Sequence, residues 1–316
     1  MNNRKVVIIG DGMVGSSIAY TFVVKSQVTD IVIIDINKDK ADGDAMDMNH
    51  AMSLFSPRNI KSGGYEEIQD ARIIIITAGA AQKPGETRID LLKKNEAIFD
   101  GIFENMRPYL NPRSIVLLVT NPVDILSYYT YQKLNLPASQ IIGSGTVLDT
   151  DRLKYLLSKD TGIDPRNIHA YIIGEHGDSE LAAYSVTSIG GVSINEFCET
   201  CGKCNGNAHQ MKMEKIEEEV VKAAYEIIQR KGSTYYGIAA AVSKIVDAII
   251  NNTKSVLTVS SYIEEALNGE IRNVYLSVPS IVGGDGVERT IWPDYSEDEK
   301  SALIESAHKL RDLADN

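Results

Sequence analysis

The stretch that decides the fold is residues 6–15, Val6-Val7-Ile8-Ile9-Gly10-Asp11-Gly12-Met13-Val14-Gly15. An apolar run ends in glycines spaced Gly-x-Gly-x-x-Gly, and a stretch with helical spacing, Val14–Lys25, follows. This order predicts a strand, a tight turn at Gly10 and a helix. Gly12 lets the backbone approach a pyrophosphate, and Gly15 lets the helix pack close to the strand. The helix N-terminus offers N–H donors and a positive dipole end to phosphate groups.

An acid after the next predicted strand bears on which nucleotide would bind. Asp35 closes that strand, 20 residues after Gly15. A carboxylate there accepts a hydrogen bond from a ribose 2′-hydroxyl and repels a 2′-phosphate, which favours NAD over NADP. The motif alone is also compatible with flavin or another nucleotide, or with glycines that serve only packing.

The first half of the chain alternates between apolar runs and helical stretches. The runs are four to five residues long and apolar throughout, as in strands buried on both faces of a parallel sheet: Val6–Ile9, Ile31–Ile34, Ile73–Ile76 and Ile115–Val119. The helical stretches between them are Val14–Lys25, Lys38–Met52 and Glu86–Met106. This pattern predicts an α/β fold with a Rossmann-type doubly wound parallel sheet and right-handed crossovers.

The second half has a different pattern, which predicts an α+β catalytic domain. Strands are expected at Ile168–Ile173, Leu181–Ile189, Val256–Tyr262 and Val274–Val282, and helices at Asp149–Asp160, Ala208–Lys231, Ile238–Asn251 and Ser296–Ala314. We therefore expect two closely packed domains, residues 1–143 for the nucleotide and residues 144–316 for the substrate.

Composition excludes several classes of protein. The chain has 316 residues, of which 43% are apolar, and its 32 basic and 43 acidic side chains give a formal charge of −11. This is ordinary globular composition, and the acidic excess argues against nucleic acid or an anionic membrane as a partner. No apolar run approaches the length of a membrane span, and the N-terminus has no features of a signal peptide, so we expect a cytoplasmic protein.

Oxidation of an alcohol by NAD needs a base for the hydroxyl proton, and histidine is suited to this at neutral pH. His176 lies in Gly174-Glu175-His176-Gly177, a glycine-flanked turn between predicted strands. A structural turn histidine is the alternative interpretation. Asp149 and Arg152, three residues apart on a predicted helix, share one face and could orient a base and bind a carboxylate. A surface ion pair would give the same pattern.

Two further segments are expected at the carboxyl ends of strands, where ligands bind in open α/β sheets. Residues 78–88 are polar and contain glycine and proline. They could form a mobile lid that carries Arg88 to polarise a carbonyl, or an ordinary surface loop. Asn121-Pro122 follows the Ile115–Val119 strand on the same edge.

Taken in order, six motifs resemble those of the NAD-dependent L-lactate dehydrogenases of the lactate/malate dehydrogenase family: GDGMVGSS, TAGAAQKPGETRIDLLKKN, VTNPVDIL, GSGTVLDTDRL, IIGEHGDSE and STYYGIA. The resemblance covers nearly the whole chain. It implies that His176 donates and accepts the proton, Asp149 orients it, and Arg152 binds the substrate carboxylate. It also implies that Arg88 polarises the carbonyl and that Asn121, followed by a cis proline bond, contacts the reacting oxygen.

The resemblance also implies a wall of the pocket at Thr234, a homotetramer, and NAD as the cofactor. The residues at cofactor-contact positions are Gly10, Gly12, Val14, Gly15, Asp35, Lys40, Tyr65, Gly79, Ala80, Val119, Asn121 and Ser144.

Gln82 bears on the choice of substrate. Lactate dehydrogenases of this family carry glutamine there, whereas the related malate dehydrogenases carry arginine. A second substrate carboxylate, as in oxaloacetate, needs a cation, and the methyl group of pyruvate does not. We therefore expect pyruvate and lactate as substrates. The alternatives are malate or another L-2-hydroxy acid, or a non-catalytic NAD-binding protein.

Two weaker signals remain. Cys198, Cys201 and Cys204, followed by His209, have spacing that could suit zinc, but we expect reduced thiols and no metal. Lys154 stands where relatives that respond to fructose 1,6-bisphosphate have arginine, and His169 matches the second residue of that effector site.

Overall fold

The predicted apolar runs form four strands of the first-half sheet, and two further strands were not predicted. In a computed structural model, which describes residues 1–80, 88–200 and 208–314, the strands are β1 Asn2–Ile9, β2 Asp30–Ile34, β3 Asn59–Ser62, β4 Ala71–Ile76, β5 Ile115–Leu118 and β6 Ile141–Gly143. The helices are α1 Met13–Lys25, α2 Lys38–His50, α3 Arg88–Met106 and α4 Val123–Lys133.

These strands pair in parallel in the order β3-β2-β1-β4-β5-β6. Alternate residues of the central strands belong to different core clusters; Val7 and Ile9 pack on one side of the sheet, and Val6 and Ile8 on the other. Both faces of these strands are therefore buried, which explains their uninterrupted apolar runs. The order is that of the predicted Rossmann-type doubly wound sheet.

The second half contributes shorter strands and longer helices. The strands are β7 Ile168–His169, β8 Ile172–Ile173, β9 Leu181–Ala182, β10 Ser188–Ile189, β11 Val192–Ser193, β12 Ser255–Leu257, β13 Ser260–Ala266, β14 Ile271–Ser277, β15 Ser280–Gly283 and β16 Gly286–Thr290. The helices are α5 Val147–Thr161, α6 Ile194–Thr200, α7 Ala208–Lys231, α8 Tyr236–Ile250 and α9 Glu297–Ala314.

Part of the second half belongs to the main sheet. Strand β13 pairs antiparallel with β6 at Ser260↔Gly143, and β14 pairs antiparallel with β13, so the sheet has eight strands. The other pairings are β11-β10-β7, β12-β15-β16 and β8-β9. The two halves of the chain thus share one sheet as well as an interface.

All four strands predicted in the second half are wrong in their bounds. Residues 168–173 contain β7 and β8, which pair with β10 and β9, and residues 181–189 contain β9, a 3₁₀ turn and β10. Residues 256–262 likewise divide between β12 and β13, and residues 274–282 between β14 and β15. In each case the two pieces join different partners, and an apolar run does not reveal such long-range pairing.

The predicted helices exist, with ends displaced by one or two residues where both ends are described. Among the described helices, none has the length and apolar character that a bilayer crossing requires.

Candidate active site

The glycine loop joins β1 to α1 with close backbone contacts. Gly10 has φ +106°, and a Cβ on Gly15 would lie 1.9 Å from the carbonyl oxygen of Gly10. A Cβ on Gly12 would meet no atom within 4 Å. No side chain caps the N-terminus of α1 among the described residues. The loop therefore leaves open space in front of N–H groups that a phosphate could occupy.

Asp35 lies directly after β2, beside this loop. Its Oδ2 accepts the backbone N–H of Asp11 at 2.6 Å, and its Oδ1 accepts that of Asn37 at 2.8 Å. Lys40 on α2 pairs with Asp11 at 3.0 Å and with Asp44 at 2.7 Å. Because Lys40 is already paired with two carboxylates, the local charge beside the loop is negative. A negative charge suits a ribose hydroxyl better than a 2′-phosphate.

The remaining predicted cofactor residues lie on the same edge of the sheet. Val14 is in the first turn of α1, Tyr65 follows β3, Gly79 and Ala80 follow β4, Val119 and Asn121 follow β5, and Ser144 follows β6. This edge combines a phosphate loop, a ribose acceptor and a continuous run of strand ends, so the residues present fit a dinucleotide.

Asn95 ties two of these loops together. It lies on α3 and is fully buried. Its side chain accepts the Ala80 N–H at 2.7 Å and donates to the Asn121 carbonyl at 2.9 Å. The Asn121–Pro122 peptide bond is cis, as the sequence resemblance implies. Asn95 was not identified from the sequence, because one polar residue in an amphipathic helix resembles a solvent-facing one.

Helix α5 places Asp149 and Arg152 on one face. The Asp149 side chain is 1% exposed, with Oδ1 2.5 Å from Arg152 Nη1. The alternative of a surface ion pair is therefore wrong.

His176 lies in the loop after β8 and contacts the Asp149 oxygen that Arg152 does not use. Its Nδ1 lies 2.8 Å from Asp149 Oδ2, and its side chain is 24% exposed. Buried Asp124, at the start of α4, accepts the His176 backbone N–H at 2.8 Å. The ring is thus held through Nδ1 and through its own backbone, which leaves Nε2 for a ligand.

The electrostatic environment favours a protonated ring. Burial opposes the charge, but Asp149 and then Glu180 outweigh it and raise the pKa of His176 well above 6.5. Burial also acts against ionised Asp149, yet the cations His176 and Arg152 hold the pKa of Asp149 below its usual value. Burial raises the pKa of Asp124 to about 6, partly offset by its hydrogen bonds.

These side chains open into a cavity of about 290 Å³. Its polar side is formed by Asn121, Asp149, Arg152, His176 and Glu180. Its apolar side includes Leu92, Ile125, Val221, Ala224 and Ile228. A small cavity with a few converging polar groups suits a small anionic ligand with an apolar end.

Two contributors to this cavity were not identified from the sequence. Glu180 lies four residues after His176, in a loop without periodicity that would reveal it. The apolar residues of α7 divide between two environments. Val220 is in the core, whereas Val221 and Ala224 face the cavity.

Some predicted residues are placed elsewhere or lie outside the described part. Thr234 is in the connection between α7 and α8 and is not among the residues that line this cavity. Lys154 is half-buried on α5, and His169 is exposed on β7. Gln82 and the side chain of Arg88 lie outside the described residues.

The cysteine tract is described only in part. Cys198 is buried in a core cluster with Leu157 and Ile194. Cys201, Cys204 and the side chain of His209 lie outside the described part of the chain. Tyr184, in the 3₁₀ turn between β9 and β10, donates its hydroxyl to the Met213 carbonyl at 2.9 Å and so contacts α7.

The chain matches two family models along almost its entire length. Residues 4–143 match the lactate/malate dehydrogenase, NAD binding domain. Residues 146–316 match the lactate/malate dehydrogenase, alpha/beta C-terminal domain.

Similar proteins carry consistent names. An L-lactate dehydrogenase of Thermoanaerobacterium saccharolyticum is 51% identical over 98% of this chain and 97% of the relative. L-lactate dehydrogenase 1 of Clostridium acetobutylicum is 48% identical over 99% and 98%. The crystal structure of a minor L-lactate dehydrogenase from Enterococcus mundtii, in a ligand-bound form, has a TM-score of 0.92 at 42% identity and covers 99% of this chain and 98% of that one.

Proposed function

The chain belongs to the lactate/malate dehydrogenase family. We propose that it works as an NAD-dependent L-lactate dehydrogenase, which reduces pyruvate to (S)-lactate reversibly. The observation that carries the proposal is the shared carboxylate of Asp149. One of its oxygens pairs with Arg152 and the other with His176, and all three residues line one cavity. An acid that can release a proton thus lies beside a cation that can bind a carboxylate.

In the proposed reaction, Arg152 binds the pyruvate carboxylate through guanidinium N–H groups that Asp149 does not use. Protonated His176 donates from Nε2 to the carbonyl oxygen as that oxygen gains charge, and Asp149 stabilises the imidazolium. Asn121 hydrogen-bonds the same oxygen, and Arg88 polarises it. The bound nicotinamide supplies the hydride. In the reverse direction, neutral His176 accepts the hydroxyl proton of lactate.

We further propose that Gln82 and the apolar side of the cavity select pyruvate. The methyl group of pyruvate suits Val221, Ala224 and Ile228, which line the cavity from α7. A second substrate carboxylate would have to be buried there without a cation, at a large cost in free energy.

Three statements about organisation are also proposals. The division at residues 143 and 144 separates the dinucleotide edge from Asp149, Arg152 and His176, although β13 and β14 extend the sheet across it. We place the enzyme in the cytoplasm. We also propose a homotetramer. Helix α1 exposes the apolar side chains of Tyr20 and Val24, and such side chains favour burial between subunits.

The function is tested by following NADH oxidation with pyruvate, oxaloacetate and branched 2-oxo acids in parallel. We expect the highest kcat/KM with pyruvate. A higher kcat/KM with oxaloacetate would identify a malate dehydrogenase, and a higher value with branched acids would indicate a larger substrate. No oxidation with any of them would contradict the proposal.

A further inference from the structure

A second buried carboxylate faces the catalytic histidine. Glu180 lies in the loop before β9, four residues after His176, and its side chain is 4% exposed. Its Oε2 lies 3.7 Å from His176 Nδ1. In the part of the chain that the structure describes, Glu180 Oε2 has no hydrogen-bond partner. A buried carboxylate oxygen without a partner is costly, so its position calls for a physical reason.

The geometry places two carboxylates at one ring nitrogen. Asp149 Oδ2 lies 2.8 Å and Glu180 Oε2 3.7 Å from His176 Nδ1. One oxygen of each carboxylate lies within 4.8 Å of the other. Asp149 divides its charge between His176 and Arg152, since it gives one oxygen to each. Glu180 therefore supplies negative charge on the Nδ1 side of the ring that Arg152 does not share through a direct ion pair.

We propose that Glu180 is a positioning residue of the reaction, which acts with Asp149 to keep His176 in its imidazolium form. It acts through the ring. This inference rests on the proton-donor role proposed for His176.

The surroundings of Glu180 determine when it is charged. Burial raises the pKa of Glu180 to about 7, and His176 partly counters this. Helix α5 contributes Asp149, which opposes the charge, and Arg152, which favours it. From α7, the cavity receives apolar side chains and Tyr225, whose hydroxyl donates to Asp178 at 2.9 Å.

One further acid lies in the same loop. Glu175 also lines the cavity, but its carboxylate accepts the Ser179 hydroxyl at 2.5 Å. Because its pKa is about 7, Glu180 gains its negative charge as pH rises through that value. Its effect on the ring therefore grows on the alkaline side, where His176 would otherwise lose its proton.

The test compares the wild-type enzyme with Glu180→Gln, which keeps the shape and removes the charge. The pH dependence of kcat/KM for pyruvate is measured at saturating NADH. Pyruvate reduction needs protonated His176, so kcat/KM falls as pH rises through the pKa of that ring. In the variant, we expect the midpoint of this fall to move about one unit toward acid pH.

A second acid provides the matched control. Glu217 on α7 is half-buried and accepts the Ala182 N–H at 2.8 Å. Glu217→Gln keeps an acceptor and should leave the midpoint unchanged. Glu180→Met, an apolar side chain of similar size, should give the same shift as Glu180→Gln and serves if the glutamine variant does not fold.

An unchanged midpoint in Glu180→Gln, with or without a uniform loss of kcat/KM at every pH, would overturn the inference. A purely structural role lowers kcat/KM without moving the midpoint. A wild-type enzyme inactive with pyruvate at every pH would instead contradict the proposed function. The two failures are therefore distinguishable.

Discussion

Asp149 satisfies two cations with one carboxylate that is almost fully buried. A buried charge is tolerated when opposite charges lie against it, and here Arg152 and His176 occupy different oxygens of the same group. The sequence predicted this group because the three-residue spacing on a helix is a local property. The pairing of Asp149 with His176, 27 positions further along the chain, was expected only from the resemblance. Local spacing cannot predict it, since only the fold brings the loop after β8 against α5.

The substrate preference is a property of single residues, and Gln82→Arg tests it. The new cation pairs with the second carboxylate of oxaloacetate and is left unpaired by the methyl group of pyruvate. We expect the ratio of kcat/KM for oxaloacetate to that for pyruvate to rise by a factor on the order of a thousand.

The matched control is Gln82→Glu, which places the opposite charge at the same position and should not favour oxaloacetate. If the ratio for Gln82→Arg stays near the wild-type value, Gln82 does not face the substrate side chain.

At the level of elements, the central strands of the first half were predictable, whereas β3, β6 and the bounds of the second-half strands were not. The central strands are buried on both faces, so residues such as Ile74 and Ile75 are apolar without interruption. Edge strand β3, with the sequence Asn59-Ile60-Lys61-Ser62, buries only Ile60 and was missed. Strand limits in the second half depend on distant partners, although Pro279 between β14 and β15 was a signal for one of the breaks.

The loops at the cofactor edge depend on α3 through Asn95. In Asn95→Leu, the Ala80 N–H and the Asn121 carbonyl both lose this partner. Each lost hydrogen bond costs about 0.5–1.5 kcal/mol. We expect a lower free energy of unfolding and weaker NADH binding, measured by denaturant titration and by fluorescence titration.

Asn105→Ala is the control on the same helix, because the Asn105 side chain is exposed and donates to the Gly101 carbonyl of its own helix at 2.7 Å. This variant should retain wild-type NADH affinity. Wild-type affinity and stability in Asn95→Leu would show that the bridge does not hold the cofactor edge.

At the scale of the whole molecule, we predict a weak or absent response to fructose 1,6-bisphosphate. Lysine lacks the planar fork with which arginine binds phosphate, and burial followed by repulsion from Lys244 lowers the pKa of Lys154. The lysine charge attracts the effector, but activation requires preferential binding to one state of the assembly.

The measurement is the pyruvate saturation curve at low enzyme concentration, with and without millimolar effector. We expect the two curves to be close. A large drop in the half-saturating concentration, lost in Lys154→Ala, would show that lysine suffices at this position.

The central claim spans the molecule, since NADH is expected to bind at the edge of the first-half sheet while the proton comes from a second-half loop. The most direct measurement is His176→Asn, assayed both for NADH binding by fluorescence titration and for pyruvate turnover. We predict unchanged NADH affinity and a loss of about 10²–10⁴ in kcat, the usual contribution of a positioned proton donor. Near wild-type turnover by this variant would contradict the assignment of His176 and the mechanism built on it.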